Sequence, residues 1–184
     1  MARASSRTAS TGDMVRSLVV ILIPVIAITY FFTRTPDEPT IRPLDWTPVL
    51  AQARDQAPYP VLAPRAVPEA WRATQVTWVP QGRPYLNGEP SPRNLWELGF
   101  LDAGATYVEL VQGDLEAREL VEDKTRDGLP DGTSDVGGTA WERRTTDDER
   151  TRSLVRSTDA VTAIVVGDLP YAALEDFAAT LTTG

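Results

Sequence analysis

The chain has 184 residues, no cysteine, no histidine and a net charge of −8. Thiol nucleophiles, His-based triads, the common zinc sites and disulfides are therefore excluded. Beyond Thr33 there are 25 acidic and 15 basic residues, a net charge of −10, which disfavours nucleic acid and anionic lipid headgroups as direct ligands.

In chain order, residues 1–12 read as a Ser/Thr/Arg-rich tail. Residues 13–33 read as a transmembrane helix: Ser17 to Phe32 carries no charge. With Arg16 snorkelling, the nineteen residues from Met14 reach roughly 28 Å, about one hydrocarbon core. Arg3, Arg7 and Arg16 against the single acid Asp13 predict a cytoplasmic N-terminus and an extracytoplasmic C-terminal domain. The expected location is the cell membrane, single-pass, with the span an uncleaved signal anchor. A cleavable signal peptide is the competing reading, but the apolar run is too long and no A-x-A-like site follows it.

Residues 34–43 read as a proline-bearing linker, and 44–184 as one α+β domain with room for a core of its own. Thr47-Pro48 opens a short helix to about Gln56. Three prolines between Pro58 and Pro64 force extended chain. Alternating apolar residues predict strands over 72–79, 95–101, 106–112, 139–144, 152–156 and 161–166. A long exposed loop fills 80–94, and 129–138 reads as a turn-rich connection. Helices are expected over 115–124, capped by Asp114, and over 170–181, with Leu174, Phe177, Ala178 and Leu181 as its stripe. The expected architecture is a roughly six-stranded antiparallel sheet covered by helices. Gly113-Asp114-Leu115 and Gly167-Asp168-Leu169 each follow a strand and open a helix, so a βββα duplication with both helices on one face is one reading. Common strand-to-helix punctuation is the other.

A resemblance now becomes specific. The residues that carry it are Asp13-Met14-Val15, Tyr59-Pro60-Val61 with Pro68 and Trp71, and Trp96-Glu97-Leu98-Gly99-Phe100. Tyr107 to Gln112, Gly138 with Trp141, and Val161 to Gly167 complete the set. The chain resembles an uncharacterised actinobacterial family of single-pass envelope proteins, domain of unknown function family 4245. The resemblance implies an anchored extracytoplasmic domain and no known activity. More loosely, the chain is similar to Mog1/PsbP-like domains, a fold-level likeness that does not settle function.

Candidate site residues are few. Tyr59, Trp71 and Tyr85 are the aromatic residues best suited to a binding surface, whereas Trp78 and Trp96 read as core. Asp127, Asp131 and Asp135 with Gly132 offer oxygen ligands for calcium on a turn, although the spacing is not that of an EF-hand and a solvated turn explains the same residues. Glu97 and Glu109 lie within apolar strands and are expected on a solvent-facing side of the sheet, opposite Leu98 and Val108. If buried they would need a partner such as Arg143 or Arg156. No cofactor is expected. The reading is a noncatalytic module that binds a protein or envelope ligand, the alternative being a carboxylate-dependent enzyme acting on cell-wall material.

Overall fold

The computed structural model describes residues 11–32 and 44–183. The chain divides into two units, Met1–Thr40 and Ile41–Gly184. The first contains helix α1, Thr11–Phe32, with Pro24 inside it. Leu18, Val20, Ile23 and Ile26, among others, point outward around it. The expected transmembrane span is not found: among the described residues no helix is long and apolar enough to cross a membrane. The expected tail and linker lie almost wholly in 1–10 and 33–43, outside the described residues.

The second unit is α+β. Its sheet has seven strands, all neighbours antiparallel, in the order β2-β3-β4-β8-β7-β6-β5. The strands are β2 (Arg72–Val79), β3 (Leu95–Leu101), β4 (Tyr107–Gly113), β5 (Leu129–Val136), β6 (Thr139–Thr145), β7 (Arg152–Ser157) and β8 (Thr162–Gly167). A second, two-stranded sheet pairs β1 (Ala63–Pro64) with β9 (Leu181–Thr182). The expected strand count was thus one short for the main sheet, since the supposed connection over 129–138 is the edge strand β5. Leu181 leaves its expected helix to pair with Pro64.

Helices cover both faces, whereas the duplication reading put both of its helices on one. On one face α2 (Thr47–Gln56) and α4 (Tyr171–Ala179) bury Leu50, Ala53, Leu174 and Phe177 against Trp96, Leu98, Phe100, Val108, Leu110 and Val165. On the other, α3 (Ala117–Thr125) packs Leu120 and Val121 against Val79, Leu95, Val111, Val155, Ile164 and Val166. Residues alternate between the two cores along each strand, as the pleat requires.

That placement argues against a same-face duplication. Two halves related across the β4–β8 pair would share a two-fold perpendicular to the sheet, which keeps both helices on one side. Aligning the halves on Gly113 and Gly167 equates Leu110 with Ile164 and Val111 with Val165. Yet Leu110 and Val165 share one core while Val111 and Ile164 share the other.

Helix α3 also starts later than expected. Glu116 precedes it in a left-handed conformation, φ 50°. Asp114 caps nothing there: its carboxylate accepts from the Asn94 backbone N–H at 2.9 Å and the Asn94 side-chain amide at 2.7 Å. Asn94 in turn holds the 80–94 loop, through an Asn94 Oδ1 contact from Gln81 N at 3.0 Å.

A cleft over a buried carboxylate pair

Glu97 and Glu109 do stand opposite Leu98 and Val108, as their strand parity dictates. The surface they occupy is not solvated, because α3 and the 80–94 loop lie over it. Glu97 is 0 % exposed and Glu109 8 %. Neither meets Arg143 or Arg156. Arg143 sits on the α4 face, bonded to Glu175 at 2.6 Å and stacked on the Tyr171 ring at 4.7 Å. Arg156 lines a separate hollow beside Gln112 and Ala163.

The actual partner is Lys124, the only lysine of the chain, brought down by the last turn of α3. Its Nζ lies 2.5 Å from Glu97 Oε1 and 3.8 Å from Glu109 Oε1. The Tyr85 hydroxyl donates to both Glu97 oxygens, at 2.8 and 2.9 Å, and Gln75 Nε2 donates to Oε2 at 3.3 Å. A fully buried carboxylate thus has an ammonium and three hydrogen bonds, the satisfaction such a charge needs. Tyr107 closes the roof by donating to Gln75 Oε1 at 3.0 Å. Its ring lies directly over Gly99, where any Cβ would collide with it. Glycine is required there by this close approach.

Glu109 opens onto a cleft of about 780 Å³ whose lining includes Tyr107, Asp123, Lys124, Arg126, Arg150, Thr151 and Asp168. Burial raises its carboxyl. Lys124 pulls it back down, Glu97 and Asp123 push it further up, and the result is about 7. Burial lowers the Lys124 ammonium, but Glu109 and Glu97 outweigh it and its value ends raised. Across the cleft Asp168 accepts from Thr151 Oγ1 at 2.7 Å and from Arg150 Nε at 2.7 Å. Those bonds hold its carboxyl below the usual range, the Thr151 bond foremost. Arg126 donates to Thr151 Oγ1 at 3.3 Å.

A raised carboxyl destabilises the fold where it must ionise. The folded state binds the extra proton between about 4.5 and 7, so stability from this group falls as pH rises through that window. Glu109→Gln removes the effect. It should stabilise the protein at pH 8 by up to about 3 kcal/mol and change little at pH 4.5, as urea melts at the two pH values will show.

The three aromatic candidates are not brought together. Tyr59 is core: it is 5 % exposed and its hydroxyl donates to the backbone carbonyls of Asn94 and Gln112. Trp71 stacks on Phe177 at 5.4 Å. Tyr85 is on the opposite face, over Glu97. Among the described residues no group of three acids could hold a metal ion. Of the calcium candidates, Asp135 caps a turn through Gly138 N at 2.8 Å and Asp131 lies on β5. Sequence reasoning missed Lys124, Arg126, Arg150 and Asp168. The one available signal was the single lysine in an otherwise arginine-only chain.

Residues 7–181 match a family described as "Protein of unknown function (DUF4245)". No curated protein matches the chain. Two solved structures are similar: MucB in complex with MucA(peri), at 14% identity with a TM-score of 0.36, and the MucA/MucB complex of Pseudomonas aeruginosa, at 14% with 0.35. Each match covers 66% of this chain, and 36% and 34% of the respective structures, so the chain spans about a third of their length. These comparisons bear on neither an actinobacterial origin nor a Mog1/PsbP likeness.

Proposed function

We propose, for a chain that belongs to the DUF4245 family, a membrane-anchored extracytoplasmic module that binds a protein or envelope ligand in the cleft under the end of α3, without catalysis. The observation that carries the binding site is the cleft itself: about 780 Å³, floored by a buried charge cluster and edged by two arginines. A cluster that buries two carboxylates is costly to build, and its open wall is where that cost would return as recognition. The absence of histidine and cysteine, and the mutual pairing of Lys124 with Glu97 and of Arg150 with Asp168, support binding over turnover. Anchoring rests on α1. A helix with apolar side chains exposed all round needs a protein core or a bilayer, and Phe31 and Phe32 extend the apolar run in the sequence. The basic N-terminal flank supports a cytoplasmic N-terminus.

Two measurements on the full-length protein test this. Protease added to intact spheroplasts should digest the C-terminal domain and spare an N-terminal tag, and protection of the domain would contradict the topology. A photoreactive residue at Ala105, on the cleft, should capture a partner in cells, while one at Arg54, on the opposite face, should not. The reverse pattern would refute the cleft as the binding surface.

A second reading, a carboxylate enzyme on cell-wall material, is favoured by one observation: Glu109 is raised to about 7 and Asp168 lowered in the same cleft. Environments that push two carboxyls apart assign acid and base roles in many enzymes. Hydrolysis of cell-wall material that disappears in Glu109→Gln would favour it.

A further inference from the structure

The charges of the cleft are sorted by side. On one side two guanidiniums share a single carboxylate, Asp168, which Arg150 bonds directly and Arg126 reaches through Thr151. Arg150 spends its Nε on Asp168 and keeps both Nη groups for a ligand, while Arg126 spends one Nη on Thr151 and keeps the other. On the other side three carboxylates, Glu97, Glu109 and Asp123, act on one ammonium, Lys124. A cleft positive at one side and negative at the other matches neither a simple anion nor a simple cation.

Resting on the reading of this cleft as the binding site, we infer that its ligand is a zwitterion. Its carboxylate meets Arg126 and Arg150, and its ammonium meets Glu109 and Asp123. An amino acid or a short peptide with free ends has that chemistry. Arginine edges take a carboxylate in paired hydrogen bonds, and an ammonium between carboxylates is held through charge-assisted bonds.

The groups facing Glu109 are Glu97 from β3, Lys124 and Asp123 from α3, Tyr85 from the 80–94 loop and Tyr107 from β4 itself. Val166 of β8 adds only apolar lining. As pH rises through about 7 Glu109 loses its proton, so the ammonium side gains charge and binding strengthens between pH 6 and 7.5.

Calorimetric titration of the full-length protein in neutral detergent micelles tests the assignment with three probes: alanyl-alanine, its N-acetyl derivative and its C-terminal amide. The free dipeptide should bind about tenfold more tightly than either blocked form, the weight of one lost charged contact. Arg150→Gln should weaken the free dipeptide without affecting the fold, since Arg150 is 74 % exposed. Glu109→Gln should weaken it and flatten the pH dependence. Equal affinity for a blocked form overturns the zwitterion, as does no binding of the free dipeptide while the Ala105 crosslink persists. In the last case the cleft stands as a binding site for another chemistry. Loss of both overturns the binding reading as well.

Discussion

Lys124→Met should be among the most damaging single substitutions in the domain, costing about 3–5 kcal/mol at pH 8. Methionine keeps the apolar stem of the side chain and removes the ammonium. Glu97, 0 % exposed, would keep the Tyr85 and Gln75 bonds but lose its counter-ion, and Glu109 would lose the one group that lowers its carboxyl. The cost should shrink as pH falls and Glu109 takes up its proton, so chemical denaturation at pH 8 and pH 5 gives the signature. A substitution at the exposed Arg118–Glu122 pair of the same helix is the control. That pair is solvated, and its loss should cost well under about 1 kcal/mol. A pH-independent loss for Lys124→Met would mean that the lysine stem packs α3 and its charge does little.

Phe100→Ala should cost about 3–5 kcal/mol at every pH. The ring is fully buried at the centre of the α2/α4 core. It meets Trp46 edge-on at 6.5 Å, Trp71 at 6.2 Å and Phe177 at 5.8 Å. Trp71 in turn stacks on Phe177, so the cavity would be bounded by large rigid rings that cannot collapse into it. Thermal melts of the variant beside Leu86→Ala, whose side chain is 80 % exposed, separate core loss from generic truncation. A change under about 1 kcal/mol would show that the aromatic cluster is not what joins α4 to the sheet.

Much of this fold was legible in the chain, and the exceptions have physical causes. Strands 72–79 and 95–101 and helix 47–56 fall where alternation and the Thr47-Pro48 start place them. The edge strand β5 was hidden because LPDGTSDV carries proline, glycine and aspartates. Those are residues that blunt an exposed edge and weaken a strand signal, and a bulge between Pro130 and Thr133 absorbs the misfit. The site was lost for a different reason. Periodicity correctly put Glu97 and Glu109 on the face opposite Leu98 and Val108, but parity says nothing about what covers a face. Whether α3 lay on that side or beside α4 was a matter of connection geometry. Once α3 is placed there, Lys124 follows on its last turn, and Arg126 and Arg150 reach the rim from segments far apart in sequence. Tyr59 and Trp71 illustrate the converse: both read as binding-surface aromatics and both are packed into the core cluster or against it.

The Glu109 carboxyl is buried, close to Lys124 and open to the cleft. Carbon-13 NMR of the Glu109 side-chain carboxyl, followed from pH 4 to pH 9 in the full-length protein, measures that directly. A titration midpoint near 7, moving upward in Lys124→Met, is the predicted result. A midpoint near the ordinary 4.5, unmoved by that substitution, would contradict the burial and the ion pair on which the cleft's assignment rests.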